Sequence, residues 1–293
     1  MNPGLPATPI APIYTCPMPW HAHLSLDYRH AAGRTVLHHE HDGPLRILKS
    51  LYPEGDAICH NVIVHPPGGL VGGDVLDVRV HVGEGAHGLI STPGATRFYA
   101  SDGLSTAQHV ALTLATGARL EWLPLEAIAY SGCDARNTLT ATLAEGAELM
   151  AWDVTALGLP NAGQPFVAGR FAQRLNIPGL WLEQAQLDAS DQRLLASPLG
   201  LGDLRCMGTL IFACGSELTR DRREALLAAA REALEGLPLE VRAGATCPND
   251  RMLVVRAMAP LVEPLMAALQ GVWRQLRPVA WGLKGEAPRI WRV

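Results

Sequence analysis

The chain has 293 residues, 48% of them hydrophobic and 18% charged, a composition that excludes an intrinsically disordered protein. A formal net charge of −4 leaves no basic footprint for nucleic acid. No run approaches the ~18 apolar residues of a membrane-spanning helix, so neither nucleic acid nor a membrane is an expected partner.

Residues 1–19 hold six prolines and predict an extended, flexible arm. The opening stretch, MNPGLPATPIAPIYTCPMPW, lacks the basic and apolar regions of a signal peptide. The six cysteines form no CxxC pair. A reducing, cytoplasmic setting is the expectation. From Trp20 the pattern is β: Leu24, Leu26 and Tyr28 alternate, Ala32-Gly33 offers a turn, and Thr35 to His39 returns along the first strand. Short apolar runs follow at Leu45 to Leu51 and Ala57 to Val64. All eleven histidines lie between His21 and His109, with His38, His39 and His41 the densest group. Imidazole suits nickel, copper and zinc, so these three are candidates for weak metal contacts. Adjacent strand residues nevertheless point to opposite faces and cannot all serve one ion.

The segment His65 to Asp74, HPPGGLVGGD, carries two prolines and four glycines and ends on a carboxylate that leads into a strand. Next comes an internal repeat: VRVHVGEGAHGLIST (78–92), ALTLATGARLEWLP (111–124) and LTATLAEGAELMAWD (139–153). Each reads as a strand, a turn ending in Gly-Ala and a second strand, and a weaker fourth copy spans 171–188. A period near thirty residues built of hairpins predicts a layered, solenoid-like β body. It also predicts that the loops Thr92 to Ser101, Glu126 to Asp134 and Asp153 to Gln164 share one edge. After Asp203 the pattern becomes β-α-β-β-α. The expected elements are a strand at Met207 to Ala213, a helix at Thr219 to Glu235, strands at Leu239 to Ala243 and Met252 to Met258, and a helix from about Pro260 to Leu276. The tail 277–293 is irregular and rich in Trp and Arg. The expectation is therefore a mostly β fold. Residues 1–19 form an arm, 20–206 a β body of repeated hairpin units, and 207–293 a small α/β part with two helices and the tail, all parts of one continuous domain.

Chemistry is hard to find in the sequence. There is no GxSxG elbow and no HExxH. The glycine loop lacks the Lys and Ser/Thr of a phosphate cradle, and Asp74 would repel an anion there. Asp74, Glu126, Asp153 and Glu183 stand at strand ends in the repeat. Their spacing fits a carboxylate hydrolase or lyase of β-solenoid type, and equally a polar channel or an ion path.

HPPGGLVGGD (65–74), STPGATRFYAS (91–101), WLPLEAIAYSG (122–132), Gly169-Arg170 and PRIW (288–291) together resemble the UreD (UreH) family of urease accessory proteins, in family order from about residue 20 onward. Leu125 departs from the pattern, and the proline-rich arm and His38–His41 are particular to this sequence. The resemblance implies a non-enzymatic maturation factor. It would bind the urease apoprotein and, with UreF and the GTPase UreG, assist nickel insertion and carbamylation of the active-site lysine, with nickel in transit and no permanent cofactor. It also implies an internal, water-filled nickel passage. Carried onto this chain, its lining residues are Asp74, Thr96, Glu126 and Asp153, with Glu183 a further one. Trp281, Arg289 and Trp291 in the tail are the partner-binding residues expected on this reading, since Trp and Arg anchor interfaces most often.

Overall fold

The computed structural model describes residues 19–292. Of the expected arm, all but Pro19 lies outside them. The first half comprises β1 (His21–Ala31), β2 (Arg34–Asp42), β3 (Arg46–Ile47), β4 (Ile58–Val64), β5 (Val75–Val82), β6 (His87–Ser91), β7 (Thr96–Phe98), β8 (Thr106–Leu114) and β9 (Arg119–Leu123). The second half comprises β10 (Ala127–Ala129), β11 (Cys133–Leu143), β12 (Glu148–Leu159), β13 (Gln164–Pro165), β14 (Gly169–Ile177), β15 (Trp181–Asp188), α1 (Gln192–Ala196), β16 (Cys206–Cys214), α2 (Arg220–Ala233), β17 (Arg242–Asn249), β18 (Met252–Ala259) and α3 (Val262–Trp281). Among the described residues no helix is long and apolar enough to cross a membrane.

The body is mostly β and solenoid-like, as the repeat predicts, but the units are arches and not hairpins. In each copy the first strand lies in a seven-stranded sheet ordered β15-β14-β11-β8-β5-β1-β2. The second strand crosses to a facing sheet whose path runs β17-β18-β16-β12-β9-β6-β4-β3. Successive copies stack in parallel and in register: Val80 pairs with Leu112, Leu112 with Ala141, and His87 with Arg119. Parallel neighbours ordinarily need a long crossover, and here the excursion through the opposite sheet supplies it.

The Gly-Ala pairs explain the bend. Gly85, Gly117 and Gly146 take left-handed backbone at φ 65°, 64° and 67°, a region open to glycine without steric cost. Ala86, Ala118 and Ala147, next in line, are fully buried inside the corner. The turns also stack, Gly117 N–H donating to the Glu145 carbonyl at 3.1 Å. The fourth copy differs: β14 and β15 pair antiparallel about Gly179, as a true hairpin within one sheet. It ends the parallel stack.

The three expected edge loops do converge. Thr96 pairs with Ala127 and Ala127 with Thr155, so β7, β10 and the end of β12 form a short third ladder. Leu70 of the glycine loop bridges to Phe98 and extends it. The core lies between the two sheets. A second apolar layer lies outside the larger sheet, where α3 packs Leu265, Leu269, Val272, Trp273 and Leu276. Strand β12, sandwiched between those layers, is buried over nearly its whole length.

The C-terminal order β-α-β-β-α stands with shifted ends. Strand β17 covers Arg242–Asn249 rather than 239–243, and α3 runs to Trp281 through Pro278. Pro278 lies in the last turn, and Gly282, left-handed at φ 67°, closes the helix. The first part of the expected irregular tail is therefore helical.

Candidate functional site

The inner face of the seven-stranded sheet is mainly apolar but carries one row of amides. Register sets Gln108 beside Asn137 and Asn137 beside Gln173 on consecutive parallel strands. Gln108 Nε2 donates to Asn137 Oδ1 at 3.1 Å. Facing that row from the larger sheet are Asp153 on β12 and its cross-strand partner Thr209 on β16. Asp153 is 8% exposed. Its carboxylate accepts a hydrogen bond from Gln173 and lies 3.5 Å from Asn137 Nδ2. Burial pushes the Asp153 carboxyl up to about 6, the Gln173 bond opposes that rise, and the charge of Glu183 adds to it. Glu183 sits on β15, two residues before Ala185, the cross-strand partner of Gln173. It accepts from the Thr209 hydroxyl at 2.7 Å and from Arg256 at 2.8 Å. The Thr155 hydroxyl, fully buried two residues beyond Asp153 on the same face, has no protein partner.

Three cavities lie along this seam. A pocket of about 230 Å³ is lined by His65, Thr92, Thr96 and Gln108. It shares Thr96, Gln108 and Trp122 with an inner cavity of about 30 Å³ that reaches Asn137 and Asp153. Beyond Asp153, a pocket of about 480 Å³ is lined by Gln173, Glu183, Thr209 and Arg256. The inner volume holds a water or two. The structure thus gathers Thr96, Asp153 and Glu183 along one seam.

Asp74 and Glu126 lie elsewhere. Asp74 is buried, and its carboxylate accepts the backbone N–H of Trp20 at 2.8 Å and of Val71 at 3.0 Å. It holds the glycine loop closed and ties it to the start of β1. Gly73 in that loop is left-handed at φ 91°, and a Cβ on Gly69 would run into the Tyr99 ring. The Glu126 carbonyl accepts from Thr96 N–H at 2.9 Å. Its carboxyl is raised by burial and by the charge of Glu263 of α3, against its own backbone hydrogen bond and the pull of Arg97. His38, His39 and His41 are exposed on the edge strand β2, with the His39 and His41 rings 6.3 Å apart. Of the tail residues, Arg289 is exposed. Trp281 donates its indole N–H to Glu148 at 2.5 Å, and Trp291 donates to Ser91 at 2.9 Å. Trp291 also packs against Trp152 and Trp273 at 5.1 and 5.0 Å. These two tryptophans seal the core.

Sequence reasoning passed over Gln108, Asn137, Gln173 and Thr209. A signal existed: the three amides occupy the same phase of successive repeats, where apolar residues otherwise alternate. It also passed over a buried ion cluster under α3. Arg277, fully buried, donates to Glu54 at 2.7 and 2.9 Å and to Glu121 at 3.0 Å. Glu121 also accepts from His87 Nε2 at 3.1 Å and from the Trp273 indole N–H at 2.7 Å. Burial would push both carboxyls up. Hydrogen bonds from His60 and Arg277 hold Glu54 at about 2 instead, and His87 with Arg277 keeps Glu121 below its ordinary range.

Two stacked mixed sheets with a parallel centre, an α/β flank and a polar seam between the sheets define a solenoid-like β scaffold. The sequence profile described as UreD urease accessory protein matches residues 21–292. A urease accessory protein UreD from Albidiferax ferrireducens is 60% identical over 276 residues, covering 94% of this chain and 100% of the relative. Its counterparts from Variovorax paradoxus and Polaromonas sp. are 58% identical, each over 94% of this chain and 99% and 100% of their own lengths. The chain belongs to the UreD urease accessory protein family, which supports a role in urease maturation.

Proposed function

We propose that this protein is a non-catalytic urease maturation factor. On this reading it binds the urease apoprotein and acts with UreF and the GTPase UreG, in the cytoplasm, so that nickel is inserted and the active-site lysine carbamylated. Nickel is cargo in transit, and no cofactor stays bound. The observation that carries the reading is the seam from the Thr96 pocket past Asp153 to the Glu183 mouth, in a chain of this family.

The seam's chemistry suits a passing cation. Oxygen ligands bind hard and borderline divalent ions, and transit requires each contact to be weak enough to release. Asp153 meets both needs: its carboxylate supplies oxygen ligands, an arriving cation displaces any bound proton to solvent, and a proton from solvent replaces the departing ion because burial disfavours the bare charge. Glu183, already neutralised by Arg256, stands at the mouth. The inner cavity's 30 Å³ also argues against a hydrolase at Asp153, since a sugar ring does not fit there.

The test is nickel content of urease matured by the Asp153→Ala/Glu183→Ala variant in the presence of its partners. The accessory complex is expected to assemble normally while nickel per urease active site falls several-fold. Wild-type nickel loading by the double variant would sink the passage.

A further inference from the structure

We infer that the outer face of the seven-stranded sheet carries a second, exchangeable holding site for a first-row divalent cation of the nickel–copper–zinc group, built by His21, His23 and Asp77. His21 and His23 are two apart on β1 and therefore project from the same face. Parallel register sets Asp77 of β5 directly beside His23. His21 Nε2 lies 2.7 Å and His23 Nδ1 3.5 Å from the same oxygen, Asp77 Oδ2. The two rings stand 4.4 Å apart, and one ligand atom from each of the three residues falls within 4.8 Å of the others.

A hydrogen bond to Asp77 needs only one imidazole, and His21 already supplies it. The second imidazole is redundant as a hydrogen-bond partner, but two imidazoles and a carboxylate at one corner are a ligand set. Metal–nitrogen distances of about 2.0–2.1 Å put adjacent ligand atoms roughly 3–3.5 Å apart, so small rotations of these side chains would close the site. His21 and His23 are 59% and 47% exposed, which leaves them free to turn. Further donors flank the site in register: Asp42 is the cross-strand partner of His23, and His109 that of Asp77. Nitrogen-rich donors select the nickel–copper–zinc group over magnesium and calcium. Three protein ligands leave coordination positions open, so the ion can be handed on.

This site does not rest on the passage. His21, His23 and Asp77 lie on the face of the sheet opposite Gln108 and Asn137. The test is equilibrium dialysis of the full chain, free of any histidine tag, against NiCl2 and ZnCl2, with MgCl2 as control. His21→Ala/His23→Ala is expected to lose about one nickel per chain, and Asp77→Asn to weaken it by tenfold or more. Asp153→Asn is expected to leave this ion in place, which separates the two sites. Nickel should also protect His21 and His23 of the wild-type chain from diethyl pyrocarbonate, read by peptide mass. Unchanged nickel stoichiometry and affinity in the double variant, or no protection of these two imidazoles in the wild type, overturns the site.

Discussion

At the residue scale, Asp153 makes the sharpest statement. A carboxyl raised from 3.8 to about 6 on folding favours the protonated native state. Its contribution is fully present below about pH 4 and is lost as pH rises through about 6. At ~1.4 kcal/mol per pH unit, that loss is about 3 kcal/mol. Asp153→Asn keeps the shape and can still accept the hydrogen bond from Gln173, without the charge. Urea unfolding is expected to find the variant close to wild type at pH 4 and up to about 3 kcal/mol more stable at pH 7.5. A stability difference that does not grow with pH would contradict the assigned environment. On the proposed function the same residue carries a stability–function conflict: its charge weakens the fold at neutral pH and would serve a visiting cation.

The element that defines this protein is the arch. Its left-handed glycine turns the chain, and the buried alanine after it lets the two sheets meet at the corner. Ala118, fully buried between stacked arches, has no room for a longer side chain. Ala118→Leu is expected to destabilise by about 1–3 kcal/mol through overpacking, measured as a lower urea midpoint at unchanged m-value. The alternation in the sequence made the strands legible, since period-2 burial marks one apolar face whichever way the next strand turns. It did not separate hairpin from arch, because both present the same strand–turn–strand pattern. A partial clue was the second strand of each unit: HGLIS, RLEWL and ELMAWD are buried on both faces, as strands covered by helices must be.

At the scale of the whole molecule, the ion cluster under α3 joins distant parts of the chain. Arg277 and Glu54 are 223 residues apart in sequence. Removing one partner of such a buried set strands the other charges, at a cost of roughly 3–5 kcal/mol. Arg277→Ala is therefore expected to lower stability by that amount in urea unfolding, whereas substituting exposed Arg289 should leave stability within about 0.5 kcal/mol. Because Arg277, Trp281 and Trp291 are built into the core, deleting 277–293 would disturb the fold as well as any interface. On the proposed function, Arg289→Glu assayed by UreF binding isolates the surface contribution of the tail.

The sequence by itself determined the local grammar: period-2 strands, the thirty-residue repeat, left-handed glycines at the turns, and the two long helices with their approximate ends. These are short-range consequences of backbone sterics and side-chain periodicity. It also carried the family's motifs, and through the resemblance the candidates Asp74, Thr96, Glu126, Asp153 and Glu183. Only the tertiary structure decided which residues share a space. It split each repeat unit between two sheets, lined up Gln108, Asn137 and Gln173 opposite Asp153, set Glu126 within reach of the Glu263 charge and closed Asp74 onto its own loop. It also set Asp77 against two histidines more than fifty residues away. Strand register between remote segments is what brings such groups together, and register depends on how the two sheets pack as a whole.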